Sequence, residues 1–88
     1  MNGTGQRAPT EIVIDFSESL EPGLSTLEVR DKKGVRVDNG DSHLQPVNAK
    51  RLSVSLKQLP PGTYSVSWQV TSVDAHRTKG TYKFTIAP

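Results

Sequence analysis

An aspartate and a histidine, Asp74 and His76, stand two residues apart directly after a strand-like segment near the C-terminal end of the chain. Carboxylate oxygen and imidazole nitrogen are both ligands that zinc and copper accept in proteins. If the extended geometry of the preceding segment continued to His76, both side chains would point the same way and could share one ion. The spacing predicts a metal-binding pair, and the alternative is a solvated hairpin loop in which His76 binds nothing.

The segment that must position this pair is the alternating run from Tyr64 to Thr71. Its large apolar side chains fall on one parity and its Ser, Thr and Gln side chains on the other, which is typical of a half-buried β-strand. Trp68 shares the apolar parity, so we predict that it lies in the core. The residues before this run, 59–64, resemble a tyrosine corner, in which the Tyr64 hydroxyl would bond the preceding turn.

Further strand-like segments recur along the chain between turn signals, and no stretch shows a helical period. We predict strands at 12–16, 24–30, 35–37, 51–57, 64–71 and 81–86. Residues 42–48 are ambiguous, because Pro46 favours an edge or irregular position. About seven short strands with regularly spaced turns predict an all-β protein, a small antiparallel β-sandwich.

Composition limits the remaining possibilities. The 88 residues predict a single domain over 9–88 after a flexible, Gly-rich leader over 1–8. The apolar runs are too short to span a membrane, and the chain has no cysteine for a disulfide or a thiolate metal site. The net charge of +2 comes from interspersed signs, and the basic run 31–36 lacks neighbouring aromatics, so we predict no nucleic-acid partner.

Catalytic groups cannot be assembled around the two histidines of the chain. We find no nucleophile elbow, no Ser/His/Asp arrangement and no paired catalytic carboxylates, so we predict that the protein is not an enzyme. Asp15 and Glu18 lie at and after the end of the first predicted strand. Solvation or turn capping explains both carboxylates, and we do not assign them to a metal.

Several motifs together resemble one known family. They are the segment 8–18, Glu21-Pro22-Gly23, the segment 59–68, Ser72-Val73-Asp74-Ala75-His76 and the closing segment 80–86. From Ala8 onward the chain resembles the CopC family of bacterial periplasmic copper-binding proteins. Those proteins are small immunoglobulin-like or cupredoxin-like β-sandwiches, which is the fold that the resemblance implies here.

The resemblance implies a carrier or sequestration role in copper homeostasis or resistance, without turnover, in the periplasm. In the family, Cu²⁺ is held by an N-terminal histidine together with the Asp and His of an Asp-x-His loop, which Asp74 and His76 match. This chain has no counterpart of the N-terminal histidine, so we expect its Cu²⁺ site to be incomplete. Cu²⁺ is expected rather than Cu⁺ because the chain has a single methionine. His43 lies where some members place a second-site histidine.

The implied partners are a copper ion and a membrane copper transporter or another copper-handling protein, and no membrane insertion is expected. The family also carries a leading strand that has no counterpart here, which would leave an open sheet edge. An open edge favours a dimer or a strand swap. The alternative function is a β-sandwich interaction module that uses this edge or its loops and binds no metal.

Overall fold

Two three-stranded antiparallel sheets make up the protein in a computed structural model that describes residues 8–88. The strands are β1 (Glu11–Asp15), β2 (Thr26–Asp31), β3 (His43–Gln45), β4 (Asn48–Ser55), β5 (Gly62–Thr71) and β6 (Arg77–Ile86). Their order is β1-β4-β3 in the first sheet and β2-β5-β6 in the second. The predicted β-sandwich class is confirmed. Apart from Ala8, the predicted leader lies outside the described residues.

The core forms where the apolar faces of the two sheets meet. In the first sheet Ile12 pairs with Val54, and in the second sheet Val29 pairs with Val66. The side chains of Val29, Val54 and Val66 have no exposed surface. Burying a Val or Leu side chain completely is worth roughly 1.5–3 kcal/mol. The period-two pattern thus identifies the residues whose burial holds the sandwich together.

Several element boundaries differ from the sequence prediction, by one to three residues for β1, β2, β4 and β5 and by more elsewhere. β2 begins at Thr26 because Pro22–Leu24 forms a short 3-10 turn that leaves Leu24 61% exposed. The predicted strand at 35–37 is reduced to a single bridge between Arg30 and Arg36. The last strand begins at Arg77 rather than near residue 81. Within residues 8–88 no helix is long and apolar enough to cross a membrane.

The tyrosine corner predicted at the start of β5 is confirmed. The Tyr64 hydroxyl donates to the carbonyl oxygen of Pro60 at 2.6 Å, and the ring stacks on Phe84 with centroids 5.4 Å apart. Trp68 is partly buried against the core, and its ring crosses the backbone at Gly80. A Cβ at position 80 would lie 2.3 Å from the indole Cζ2. Residue 80 must therefore be glycine for the indole to keep this position.

Candidate metal centre

The Asp74/His76 pair lies in a tight turn that joins β5 to β6. The backbone N–H of Ser72 donates to the carbonyl of His76 at 2.8 Å, and the N–H of Ala75 donates to the carbonyl of Ser72 at 2.9 Å. Ala75 has a φ of +74°, in the left-handed region that reverses the chain. The extended geometry of β5 does not continue to His76, because the chain reverses between Ser72 and His76. The two side chains come together through the turn.

The side chain of Ser72 organises this turn from a buried position. Its hydroxyl donates to Asp74 Oδ1 and accepts the backbone N–H of His76 at 3.2 Å. His76 Nδ1 lies 3.1 Å from the same Asp74 oxygen. The two side-chain contacts to Asp74 both end on Oδ1, so Oδ2 of Asp74 is left for another ligand. Nδ1 is the ring nitrogen that lies next to Asp74, so it is the nitrogen that can share an ion with this carboxylate when the ring proton is on Nε2.

A segment that crosses between the sheets brings a third ligand to the turn. Residues 16–21 bond to both sheets: Phe16 N–H donates to the Lys50 carbonyl at 2.8 Å, and Glu21 N–H donates to the Thr71 carbonyl at 2.8 Å. In the middle of the segment, the Val73 N–H donates to the Ser19 carbonyl at 3.0 Å. This bond ties the segment to the turn itself. It places Glu18 beside the Asp74/His76 pair.

The turn and the crossing segment bring three potential metal ligands together. Glu18, Asp74 and His76 each offer one ligand atom, and these atoms lie within 4.8 Å of one another. The side chains of Asp74 and His76 are 51% and 76% exposed. One nitrogen and two carboxylate donors on an open turn can hold a divalent ion while leaving coordination positions for water or for a ligand from another molecule.

The electrostatics of the turn favour the ionised carboxylate. The pKa of Asp74 is lowered from its usual value, chiefly by the hydrogen bond from the Ser72 hydroxyl. Desolvation partly offsets this effect, and the backbone N–H and the ring of His76 lower the pKa further. Since a metal binds the deprotonated carboxylate, this network keeps Asp74 ready for a cation down to acidic pH.

Glu18 is a candidate ligand that the sequence interpretation did not assign. Its position after a strand was interpreted as solvation or turn capping, yet its carboxylate joins the Asp74/His76 cluster. More than fifty residues separate it from Asp74 along the chain. The available signal was its place in the turn after β1, at the sheet end that the β5–β6 turn also occupies. Asp15, the other carboxylate left unassigned, forms an ion pair with Arg51 at 2.7 Å.

His43 lies apart from this cluster, on the outer face of the first sheet. Its Nδ1 contacts the backbone carbonyl of Asp41 at 2.8 Å, and its Nε2 lies 3.4 Å from the hydroxyl of Ser53. Both ring nitrogens therefore have neighbours within the protein. No group of three metal-ligating side chains in residues 8–88 includes His43. The predicted ligand role of His43 remains untested, and the structure does not bring it to Asp74 and His76.

Comparison with known proteins places the fold and the turn in a family. The model of the CopC domain matches residues 1–87. The chain belongs to the CopC domain family. The resemblance inferred from the sequence motifs is thereby confirmed.

Relatives of this CopC domain include proteins of different lengths. Protein YobA of Escherichia coli (strain K12) is 39% identical over 80 residues, which are 90% of this chain and 64% of that protein. The copper transport protein CutJ of Bacillus subtilis (strain 168) is 31% identical over 86 residues, which are 97% of this chain. The chain thus spans a little under two thirds of YobA and 16% of CutJ.

Solved structures agree with the sandwich of this CopC domain. CopC from Methylosinus trichosporium OB3b superposes with a TM-score of 0.85 at 29% identity, covering 93% of this chain and 79% of that one. PcoC, a copper resistance protein from Escherichia coli, superposes with a TM-score of 0.74 at 29% identity, covering 91% of this chain and 85% of that one. The architecture is therefore the CopC β-sandwich.

Proposed function

We propose that this CopC domain binds Cu²⁺ through Glu18, Asp74 and His76, and that it serves as a carrier or sequestration protein in copper homeostasis. The observation that carries the proposal is the convergence of one imidazole and two carboxylates within 4.8 Å at the β5–β6 turn. The named roles of two relatives support it, since CutJ is a copper transport protein and PcoC a copper resistance protein.

The donor set favours Cu²⁺ over other forms of copper and over competing divalent ions. Imidazole and carboxylate donors suit Cu²⁺, whereas Cu⁺ prefers sulfur ligands. The chain has no cysteine, and its single methionine is Met1. Among divalent first-row ions, Cu²⁺ binds a given N/O site most tightly. We propose further that three side chains leave the coordination of Cu²⁺ incomplete, so that water or a ligand from another molecule completes it.

An open site suits transfer of the ion rather than a reaction on it. His76 is 76% exposed and Asp74 is 51% exposed, so a second protein can reach the ion without opening the sandwich. We propose that the receiving or donating partner is a membrane copper transporter or another copper-handling protein. Family membership supports a periplasmic location for this exchange.

The test is titration of the chain with Cu²⁺ by calorimetry in a buffer that competes weakly for the ion. We expect one ion per chain, and we expect His76→Ala to lower the affinity by more than about 100-fold. Removing a group that only supports a metal ligand already lowers metal affinity about 10- to 100-fold. His76 is itself a ligand in this proposal and supplies the nitrogen of the cluster, so its removal should cost more. Glu18→Gln should weaken binding less, because it removes one of two carboxylates.

His43→Ala is the matched control, since it removes the other histidine of the chain. We expect it to bind Cu²⁺ as the parent chain does. Equal and weak binding by the parent chain and by His76→Ala would reject the site. A loss confined to His43→Ala would move the copper site to the first sheet, as the sequence prediction for His43 allowed.

A further inference from the structure

The outer face of the second sheet carries an uneven distribution of charge. β6 contains three of the eleven basic residues of the chain, Arg77, Lys79 and Lys83, and none of its nine acidic residues. All three alternate with inward-facing positions and are exposed. We call them the cationic row. No carboxylate in residues 8–88 lies within ion-pair distance of any of them.

The neighbouring strands do not neutralise this row. The outward residues of β5, at positions 63, 65, 67, 69 and 71, are Thr, Ser or Gln. On β2 the outward carboxylate is that of Glu28, and it is engaged by Arg30 at 2.9 Å and by Arg36 at 3.7 Å. The face therefore presents a strip of short polar side chains bordered by unneutralised cations.

The strip is concave beside the cationic row. Two surface cavities, of about 550 and 660 Å³, adjoin each other and share Thr26, Gln69 and Lys79 in their walls. These three residues form one cross-strand row, because Thr26 pairs with Gln69 and Gln69 pairs with Lys79. The larger cavity continues to Arg77, at the end of the face nearest the β5–β6 turn. A narrow ligand can lie in this groove with the cations along one side.

We propose that this groove binds an acidic, extended segment of another protein, with alternate carboxylates paired to Arg77 and Lys79 in the groove and a later carboxylate paired to Lys83 beyond it. Side chains on one face of an extended chain are spaced about 6.5–7 Å apart, which is also the spacing of Arg77 and Lys79 along β6. Hydroxyl and amide groups on β5 supply donors and acceptors for the backbone of the bound segment. The binding is independent of the metal centre.

Other anionic partners fit the face less well. Nucleic-acid strands use aromatic side chains for stacking, and the aromatics of β5 point to the opposite face, as Tyr64 and Trp68 do. A second copy of the chain is also disfavoured along β6. If two copies of β6 paired in antiparallel fashion around Gly80, Lys83 of one copy would face Arg77 of the other, and around Thr81 it would face Lys79. Like charges opposite each other destabilise a pair of strands. The dimer or strand swap predicted from sequence stays a prediction for the other edges.

The test is a fluorescence-anisotropy titration with an alternating Glu-Thr peptide as long as β6, using the metal-free chain. We expect saturable binding that weakens as salt rises, and no binding of an alternating Lys-Thr peptide. Lys79→Glu with Lys83→Glu should weaken binding at least about tenfold, since two attractive contacts become repulsive. This double variant keeps Arg77, because that residue is next to His76 and its replacement could disturb the candidate metal centre.

Lys50→Glu with Lys57→Glu is the matched control, because it changes the net charge equally at exposed positions in and beside β4. It should bind the peptide as the parent chain does, and calorimetry should give the same Cu²⁺ affinity for all three chains. Equal weakening by both double variants would overturn the proposal, since net charge alone would then explain binding. Tighter binding of single-stranded oligothymidylate than of the peptide would overturn it in favour of nucleic acid.

Discussion

The two histidines of this CopC domain occupy opposite kinds of environment. The ring of His76 meets two carboxylates on an exposed turn, with a buried serine beneath them. The ring of His43 contacts a backbone carbonyl and a buried serine on the outer face of a sheet, and no carboxylate group approaches it to form a metal cluster in residues 8–88.

The contacts made by the ring nitrogens, more than the residue type, therefore separate a candidate ligand from a structural side chain. Nε2 of His43 faces the Ser53 hydroxyl at 3.4 Å, so a metal ion would have to replace an internal contact. At His76 the internal contact joins Nδ1 to a carboxylate that can itself be a ligand, so an ion can bind between the two groups.

Among changes that leave both histidines in place, the largest effect should come from removing the serine hydroxyl that supports the turn of His76. Ser72→Ala removes the hydroxyl that bonds the Asp74 carboxylate and the His76 N–H, so the ligands lose their orientation. We expect the Cu²⁺ affinity to fall about 10- to 100-fold, the usual effect of losing a supporting group around a metal site. Calorimetric titration with Cu²⁺ measures the change.

Ser53→Ala is the counterpart at His43. It should leave the Cu²⁺ affinity unchanged but lower the free energy of unfolding by about 1 kcal/mol, because Gln45 loses the acceptor for its amide. Urea unfolding of the metal-free variant measures this loss. If Ser53→Ala weakened Cu²⁺ binding as much as Ser72→Ala, the two histidines would not differ as we infer.

A smaller effect distinguishes the carboxylates beside the two histidines. The pKa values of Asp41 and Asp74 are both lowered, chiefly by hydrogen bonds from Ser55 and Ser72 respectively. A carboxyl whose pKa is lower in the folded chain contributes stability above its unfolded pKa, and this contribution is lost as the pH falls through the folded pKa. The loss therefore occurs on acidification below about pH 4.

Carboxyl carbon NMR of the metal-free chain can follow both groups. We expect both midpoints below the usual value of 3.8. Ser72→Ala should raise the pKa of Asp74 and leave that of Asp41 in place, and Ser55→Ala should do the reverse. A common shift of both midpoints in either variant would contradict the assignment of these hydrogen bonds.

The smallest effect concerns the backbone near each histidine. Ala75 beside His76 has a φ of +74°, and Gly40 on the His43 side has a φ of +71°. Ala75→Gly removes the left-handed strain from the folded chain, but the added glycine also raises the conformational entropy of the unfolded chain. The net increase in the free energy of unfolding should therefore stay below about 1 kcal/mol. Gly40→Ala meets open space, so its cost of about 1 kcal/mol should come from φ alone. Thermal unfolding of both variants checks the opposite signs.

Much of the fold could be predicted from local patterns. Alternation located β1, β4 and β5, and the Pro-Pro-Gly-Thr-Tyr segment predicted the bond that Tyr64 makes to Pro60. Boundaries were less accurate where tertiary bonds extend or end a strand. β6 begins at Arg77 because the tight turn pairs it with Thr71, although the apolar alternation starts only near Tyr82.

Local spacing in the sequence is enough to show which faces of the strands are buried and that Asp74 and His76 stand two residues apart after a strand. The packing of the two sheets brings Glu18 to this pair, gives His43 its contact with Ser53 and places the cations of β6 beside a groove. These outcomes depend on how distant segments cross and pair. Such pairings are set by the packing of the whole core, which no local period encodes.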